Sequence, residues 1–356
     1  MKHTILITGA AGYVGTMLVQ KWAMRDDVER IIGLDKEPMP EIIKDEPKLH
    51  YIETNLATPG WEDAVRAQNP DIVIHSAWQI RELYGKQEVG IEWNIGGSDR
   101  VFDYVFGNMG VKRFVHFSTV ASYGAFASNS IEHRFKEDEP FRVTDYSYAE
   151  EKRIAEEHLN QKYAARTNKD VVVSVVRPAA ITGPRGRYMR IRFGLQSALS
   201  GQLKGSFVYS LVSKMTAFVP ITAKWCRQFI HEDDVVDLVE LLAFESQRTG
   251  FEIFNICPPG EVVRGADMAR AVGKRMLRVP PILIRVAFFV FWHASRGKVP
   301  TGRGAWKSYS YPIAVDGSKL TRIEGYEYKH SSYDAFYYTQ GRYESYVPEV
   351  SRRTKA

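Results

Sequence analysis

Tyr148 and Lys152 stand four residues apart at the start of a segment with a helical pattern. That spacing puts a phenol and an ammonium on one face of a helix. A free tyrosine has a pKa of about 10, and a nearby cation stabilises the phenolate and brings that pKa closer to neutral. The pair is therefore a plausible proton relay. Tyr146 has no lysine four residues later and is the poorer candidate.

Hydroxyl side chains follow the fifth predicted strand, in the sequence FSTVASYG at residues 117–124. The carboxyl end of a central parallel strand faces the crevice where such sheets bind ligands. Thr119 or Ser118 could hydrogen-bond a substrate oxygen there and stabilise its developing charge. The structural alternative is that these hydroxyls complete backbone hydrogen bonds at the strand end.

A glycine-rich turn, TGAAGYVG at residues 8–15, follows the first predicted strand and opens the first helix. Glycines in such a turn allow backbone N–H groups to approach a pyrophosphate at the helix N-terminus. Asp35 ends the second strand, 20 residues after Gly15. A carboxylate there can accept hydrogen bonds from the adenosine ribose and would repel a 2′-phosphate. We therefore expect a dinucleotide cofactor, NAD rather than NADP.

These residues need a scaffold in which strands and helices alternate. Near-continuous apolar strands are predicted at residues 4–8, 30–35, 49–54, 71–77, 113–119 and 171–178, and helices at 14–25, 91–109 and 148–166. This alternation predicts right-handed βαβ units, in an α/β fold with a Rossmann-type doubly wound parallel sheet and a smaller C-terminal α/β substrate lobe.

The predicted domain boundaries follow from where that alternation stops. Residues 1–180 should form the NAD-binding Rossmann domain, and a strand, a helix and a second strand at 228–256 should return to it. Residues 181–227 and 257–356 should form the substrate-binding lobe and a basic, Tyr-rich tail.

The composition is that of a globular protein, with 356 residues, 44% of them hydrophobic and 25% charged. It argues against a disordered or low-complexity chain. Cys226 and Cys257 are too few for a disulfide framework, so we expect a reducing, cytoplasmic location. We expect no metal, because no set of His, Cys or acidic residues completes a site.

The net charge of +6 lies mostly in residues 296–356, which hold 11 basic residues, 6 acidic residues and 11 aromatics. Basic residues interleaved with aromatics can mark nucleic-acid binding. No known nucleic-acid motif accompanies them, so we expect a tail packed by tyrosines and no nucleic-acid partner.

The most apolar stretch of the chain is residues 279–294. It is short for a membrane span and contains Arg285. We expect a core or interdomain helix and no transmembrane span. Contact with a membrane surface is the less favoured alternative.

The motifs occur in the order seen in extended short-chain dehydrogenases/reductases. Further examples are HSA at 75–77, Asn94 in WNIGGS, RPAAITGP at 177–184 and RQFIHEDDV at 227–235. More narrowly, residues 3–260 resemble the NAD-dependent epimerase/dehydratase family, which includes UDP-galactose 4-epimerase.

The resemblance implies a role for each matching residue. Tyr148 would be the catalytic acid/base, Lys152 would lower its pKa and bind the nicotinamide ribose, and Thr119 would be the catalytic hydroxyl residue. The cofactor would be NAD, and the reaction a hydride transfer at a secondary alcohol or ketone. The implied cofactor-binding residues are Gly9, Gly12, Tyr13, Val14, Gly15, Asp35, Asn55, Leu56, Ser76, Ala77, Trp78, Asn94, Tyr148, Lys152 and Ala179.

Three departures from the family pattern bear on the substrate. Val120 and Ala121 replace the acidic pair of the 4,6-dehydratases, so that dehydration is not expected. Ala180 occupies the substrate-binding position where sugar-nucleotide epimerases often have an asparagine that holds the diphosphate. Asn55 replaces an aspartate near the adenine.

Several arginines favour an anionic substrate. Arg227 aligns with a phosphate-contacting arginine of the sugar-nucleotide enzymes. Arg185, with Arg187, Arg190 and Arg192, clusters at the entry to the small lobe. Arginine can bind a diphosphate through two hydrogen bonds. A solvated basic loop is an equal alternative for the cluster.

Three functions remain open from the sequence. The first is an NAD-dependent oxidoreductase or epimerase acting on a nucleotide sugar or related polyhydroxy small molecule. The second is a dehydrogenase of a lipophilic alcohol, similar to 3β-hydroxysteroid dehydrogenases, which Ala180 and the apolar residues 279–294 suggest. The third is a non-catalytic nucleotide sensor, against which the intact Thr119, Tyr148 and Lys152 argue. The resemblance also suggests a homodimer.

Overall fold

The computed structural model describes residues 2–189, 207, 210, 218–271, 273–337 and 340–347. Its strands are β1 (His3–Thr8), β2 (Val28–Asp35), β3 (Leu49–Glu53), β4 (Ile72–His75), β5 (Arg113–Phe117), β6 (Val172–Pro178), β7 (Ala180–Thr182), β8 (Phe218–Ile221), β9 (Cys226–Arg227), β10 (Phe229–His231), β11 (Phe251–Ile256), β12 (Val263–Arg264) and β13 (Arg275–Arg278). Seven of them form the main sheet in the order β11-β6-β5-β4-β1-β2-β3, and every pairing is parallel.

Helices cover both faces of this sheet. They are α1 (Tyr13–Ala23), α2 (Trp61–Arg66), α3 (Gln87–Ile91), α4 (Gly97–Gly107), α5 (Ser147–Ala165), α6 (Pro184–Met189), α7 (Glu232–Glu240), α8 (Gly265–Ala271), α9 (Pro281–Ala294), α10 (Ala305–Ser308), α11 (Ser318–Glu324) and α12 (Ser332–Tyr337). One apolar core contains side chains of α1 and α7, and the other contains side chains of α4 and α5. Strands buried on both faces explain the near-continuous apolar runs, and the predicted doubly wound fold is confirmed.

The strand order reverses between β1 and β4. From β1 the chain proceeds through β2 to β3 on one side of the sheet, and β4, β5, β6 and β11 lie on the other. In such sheets the crevice beyond the carboxyl ends of the strands, at this switch point, is where ligands bind. The glycine-rich turn follows β1 directly, so the fold places it at the crevice.

The predicted helix at 91–109 is interrupted. α3 ends at Ile91, a π-helical turn occupies Glu92–Gly96, and α4 begins at Gly97. A π-turn adds one residue to a helical turn and rotates the side chains that follow it. The inserted turn contains the buried Asn94.

The small lobe is built on short strand pairs. β7 pairs with β10 in parallel, β8 with β13 in parallel, and β9 with β12 in antiparallel register. Our expectation that the strand after residue 228 returns to the main sheet is therefore wrong, because β10 pairs with β7. β11 does join that sheet, at its edge beside β6.

Tyrosines attach the C-terminal tail to the rest of the protein. The Tyr326 hydroxyl donates to the Asp234 carboxylate at 2.8 Å, and the Tyr343 hydroxyl donates to the Met17 carbonyl of α1 at 3.2 Å. Tyr326 and Tyr343 thus connect the tail to α7 and α1.

The apolar segment 279–294 forms α9, but it is only half buried. Ile284, Phe288 and Trp292, each four residues from the next, face the protein. The expectation of a core helix is therefore incomplete, since the opposite face of α9 is exposed. Among the described residues, the helices are too short or too polar to cross a bilayer.

Candidate active site

A cleft of about 640 Å³ opens at the carboxyl ends of β1, β4 and β5. All but one of the predicted site residues line it. They are Gly9, Gly12, Tyr13, Val14, Gly15, Asp35, Asn55, Leu56, Ser76, Ala77, Trp78, Asn94, Thr119, Tyr148, Lys152, Ala179, Ala180 and Arg227. The fold thus brings the predicted cofactor, catalytic and substrate residues into one cavity.

The glycine-rich turn packs too closely for any larger residue at two positions. Gly9 has a φ of +78°, and a Cβ there would lie 2.6 Å from the Ala77 nitrogen. A Cβ on Gly15 would lie 2.1 Å from the Gly9 carbonyl oxygen. These contacts hold the start of α1 against β1, with Gly12 as its N-cap and no side chain capping it. The first N–H groups of α1 therefore remain available to an anion.

Asp35 supports the turn from the end of β2. Its carboxylate accepts hydrogen bonds from the backbone N–H groups of Ala11 and Glu37, each at 3.0 Å. Burial is the main effect on this group and raises its pKa above the ordinary range. Lys36 pairs with Glu37 at 2.7 Å and lies 4.5 Å from the Trp93 ring centre. Asp35 lines the cleft, and no salt bridge joins Lys36 to it among the described residues.

The predicted catalytic hydroxyl residue, Thr119, follows the end of β5 by two residues. Thr119 is buried and caps a 3-10 turn, Val120–Tyr123, by accepting a hydrogen bond from the Ala121 N–H at 3.2 Å. The Thr119 hydroxyl therefore does complete a backbone hydrogen bond at the strand end, which was the structural alternative considered for it. Accepting that bond leaves its proton free to be donated into the cleft.

Tyr148 and Lys152 both lie on α5 and both line the cleft. Tyr148 is half-buried, whereas Lys152 is buried. The Lys152 ammonium donates to the Phe117 carbonyl and lies 3.6 Å from the centre of the Trp78 ring. Burial lowers the pKa of Lys152 to about 7, against the opposing effect of Glu156 and Glu151.

The π-turn residue Asn94 ties three parts of the site together. Its side-chain oxygen accepts from the Gln79 N–H at 2.7 Å, and its amide donates to the Gln79 carbonyl at 3.0 Å and to the Glu151 carboxylate at 2.6 Å. Glu151 stands between Tyr148 and Lys152 in sequence. Asn94 therefore fixes α5 against the loop after β4.

Two buried polar atoms beside the cleft have no hydrogen-bond partner among the described residues. They are the Ser118 hydroxyl oxygen and the Trp78 indole nitrogen. Both residues line the cleft. Such unpaired groups fit a cavity that is completed by a polar ligand.

At the far end of the cleft, Arg227 is half-buried between aromatic rings. Its guanidinium carbon lies 5.9 Å from the centre of the Trp225 ring and 5.5 Å from that of Tyr309. Ala180 lies in the same cleft. Apolar side chains of Ile181, Phe229, Met268 and Ile313 also line the cleft, together with the polar residues Gln228 and Ser308.

The comparison with known families agrees with this geometry. A model of the NAD dependent epimerase/dehydratase family matches residues 5–257. The chain belongs to this family. It is therefore an enzyme, and the family's cofactor is NAD.

Individual relatives of this epimerase/dehydratase are distant. An uncharacterized protein of Mycobacterium tuberculosis is 22% identical over 342 residues, covering 93% of this chain and 82% of that protein. A Candida albicans sterol-4-alpha-carboxylate 3-dehydrogenase (decarboxylating) is 26% identical over 194 residues, covering 52% and 53%. The Bordetella bronchiseptica enzyme WbmG, solved with NAD and UDP, is 23% identical with a TM-score of 0.68, covering 98% of this chain and 96% of that one.

One predicted substrate residue of this epimerase/dehydratase lies elsewhere. Arg185 is buried, and its guanidinium donates to the side chains of Thr16 at 2.6 Å and Gln20 at 3.2 Å, both on α1. Glu232 on α7 accepts from the Arg185 backbone N–H at 3.1 Å and from the Tyr13 hydroxyl. Arg185 therefore joins the small lobe to α1 and does not line the cleft, contrary to the substrate-binding role expected for it.

The structure does not test the other arginines of that cluster. Arg190 and Arg192 lie outside the described residues, as does the side chain of Arg187. Within the described residues, no three metal-ligating side chains group together.

The sequence analysis did not single out two aromatic residues that line the cleft beside Arg227, Trp225 and Tyr309. Trp225 lies two residues before Arg227, and residues two apart in an extended segment face the same side. That spacing was an available signal. Tyr309 lies far along the chain, and nothing local indicates that it reaches the cleft.

Proposed function

We propose that this protein is an NAD-dependent oxidoreductase or epimerase that acts at a secondary alcohol or ketone of a nucleotide sugar or related polyhydroxy substrate. One observation carries the proposal. Thr119, Tyr148 and Lys152 line the same cleft as the glycine-rich turn and Asp35. The residues proposed for proton transfer and those proposed for dinucleotide binding thus share one cavity.

The protein's own groups would handle the proton. During oxidation of an alcohol, the Tyr148 phenolate would take the hydroxyl proton, while the hydrogen on carbon leaves as hydride. NAD, when bound, accepts that hydride. Lys152 would stabilise the phenolate by its charge, and Thr119 would donate a hydrogen bond to the substrate oxygen. In the reverse direction, Tyr148 would return the proton.

Arg227 supports an anionic substrate. A guanidinium beside aromatic rings can bind a diphosphate through charge-assisted hydrogen bonds while Trp225 or Tyr309 stacks on a flat ring. The solved relative WbmG contains UDP in one of its complexes. A nucleoside diphosphate group is therefore the substrate portion that we place near Arg227.

A second candidate function is the oxidation of a lipophilic alcohol. Ala180 provides no amide for a diphosphate, and Ile181, Phe229 and Met268 form an apolar wall at the same end of the cleft. The partial match to a sterol dehydrogenase favours the same alternative.

Thermal unfolding in the presence of NAD separates the two candidates. Ligands that bind the folded state raise the melting temperature. A rise with UDP and UDP-sugars supports the first candidate, and a rise with sterols or long-chain alcohols supports the second. Absence of any response to NAD or NADH would contradict both. Accumulation of NADH absorbance during turnover would indicate net oxidation, and its absence with product formed would indicate epimerisation.

We also propose a homodimer that associates through the helices flanking β5, including α5, and a cytoplasmic location. Light scattering coupled to size exclusion tests the dimer. A monomer mass at micromolar concentration would contradict it.

A further inference from the structure

α9 exposes an unusually apolar surface. Five of its side chains are each more than half exposed: Ile282, Leu283, Val286, Phe289 and Val290. They lie on the face opposite Ile284, Phe288 and Trp292. Exposed apolar residues clustered on one helix mark an interaction surface more often than isolated ones do.

Basic residues flank this surface on both sides in the sequence. Residues 268–315 contain nine Lys and Arg residues and no Asp or Glu. The exposed basic side chains nearest to α9 in sequence are Arg275, Arg278, Arg285, Arg296 and Lys298. A partner must therefore be both apolar and negatively charged.

We propose that α9 docks on the surface of an anionic lipid bilayer, with its exposed face among the acyl chains and the basic residues at the headgroups. A helix with bulky apolar residues and flanking Lys and Arg binds in the plane of the membrane interface. Attraction to anionic lipid adds to apolar burial. A second copy of this chain is disfavoured as the occupant, because the basic residues that flank the two α9 surfaces would repel each other.

The docking surface lies next to the cleft. Phe288 on the inner face of α9 packs against Tyr309, with ring centres 5.1 Å apart, and Tyr309 lines the cleft. Near the other end of α9, the Tyr84 hydroxyl hydrogen-bonds His293 at 3.2 Å. The bilayer would therefore lie close to the substrate end of the cleft. The proposal does not depend on which substrate occupies it.

Vesicle flotation of the full-length protein tests the proposal. The probes are vesicles of phosphatidylcholine alone and of phosphatidylcholine mixed with phosphatidylglycerol. We expect binding to the anionic vesicles that weakens with added salt. No binding to anionic vesicles, or equal binding to both, overturns the proposal.

Two pairs of variants locate the surface. F289S together with V290S should abolish flotation, while V143S together with M24S, which alter exposed apolar residues elsewhere, should not. R275Q with R278Q should weaken binding by about fivefold for each charge removed, and K44Q with R66Q should have no effect. Equal binding by F289S/V290S and wild type would overturn the assignment to α9. A third result would also overturn it: a wild type that does not bind vesicles but forms a dimer, which the F289S/V290S variant converts to a monomer.

Discussion

The Lys152 ammonium lies 3.6 Å from the centre of the Trp78 ring. Both residues line the cleft. A cation–π contact and a carbonyl acceptor hold this buried lysine, and no carboxylate of the described residues forms a salt bridge with it. The lysine is thereby positioned on α5, one turn from Tyr148, while its charge remains costly to bury.

Replacement of Tyr148 by Phe should lower turnover by about 10²- to 10⁴-fold, the usual contribution of a general acid/base. NAD affinity should stay within a few fold, since only a hydroxyl is removed. Initial rates and NAD titration measure the two effects. Tyr163→Phe, on the same helix but distant from the cleft, is the matched control. Unchanged turnover in Tyr148→Phe would refute the assignment.

Replacement of Asp35 by Ala should weaken NAD binding about tenfold or more, because a charged hydrogen-bond acceptor for the ribose is lost. It should also reduce the preference for NAD over NADP, since the charge that repels a 2′-phosphate disappears. Titration with both cofactors measures this. Asp63→Ala, at an exposed position, serves as the control. A wild type that prefers NADP would contradict our interpretation of Asp35.

Lys152 should make the stability of the protein depend on pH. Burial lowers its pKa to about 7 from 10.5, so the folded protein binds fewer protons than the unfolded chain between these values. The destabilisation is complete below pH 7 and fades as pH rises toward 10.5, so that stability increases with pH.

Lys152→Met removes this dependence. The variant's advantage in free energy of unfolding should be largest at about pH 6 and smaller at about pH 9, without NAD present. Urea unfolding at the two pH values measures it. Lys162→Met, on the exposed side of α5, should follow the wild type. A difference between wild type and Lys152→Met that does not change with pH would show that Lys152 is not neutralised by burial.

Replacement of Arg227 by Met should raise KM for a diphosphate-containing substrate about 10- to 100-fold, because a charge-assisted hydrogen bond is lost. Stability should change little, since Arg227 is half-buried and contacts ring faces. Steady-state kinetics with a UDP-sugar measures KM. An unchanged KM would favour the lipophilic substrate.

Replacement of Arg185 by Met should lower stability and leave KM unchanged, the opposite of the result expected for Arg227→Met. The free energy of unfolding should fall by about 1–3 kcal/mol, because the buried side-chain oxygens of Thr16 and Gln20 lose their donor. The KM for substrate should remain close to that of the wild type. Chemical denaturation and kinetics on one preparation measure both. A raised KM with unchanged stability would restore the substrate-binding role expected from the sequence.

The cofactor end could be predicted from the sequence because its determinants are local. One βαβ unit fixes the spacing of Gly9, Gly12 and Gly15 and the position of Asp35. The strands and the helix of that unit can be recognised from the pattern of apolar residues in the sequence. The placement of Tyr148 and Lys152 on one face of α5 follows from helical spacing in the same way.

The substrate end could not be predicted to the same depth. Tyr309 reaches the cleft through the packing of the small lobe, which no local pattern encodes. The role of Arg185 could not be predicted, because a charged residue near a turn can face solvent, a ligand or an acidic side chain. Here its backbone N–H donates to Glu232, which lies 47 positions later in the sequence. The π-turn at Asn94 was missed because a single inserted residue leaves the apolar period almost intact.

The hydrogen bond from Tyr343 to Met17 also has a consequence for biosynthesis. The two residues are 326 positions apart. At about 5–20 residues per second, a ribosome needs roughly 16–65 s to make the second after the first. Over that interval the nascent Rossmann domain lacks a partner of its first helix. This hydrogen bond forms only after Tyr343 emerges, so that a transcript ending before Tyr343 yields a domain whose first helix lacks it.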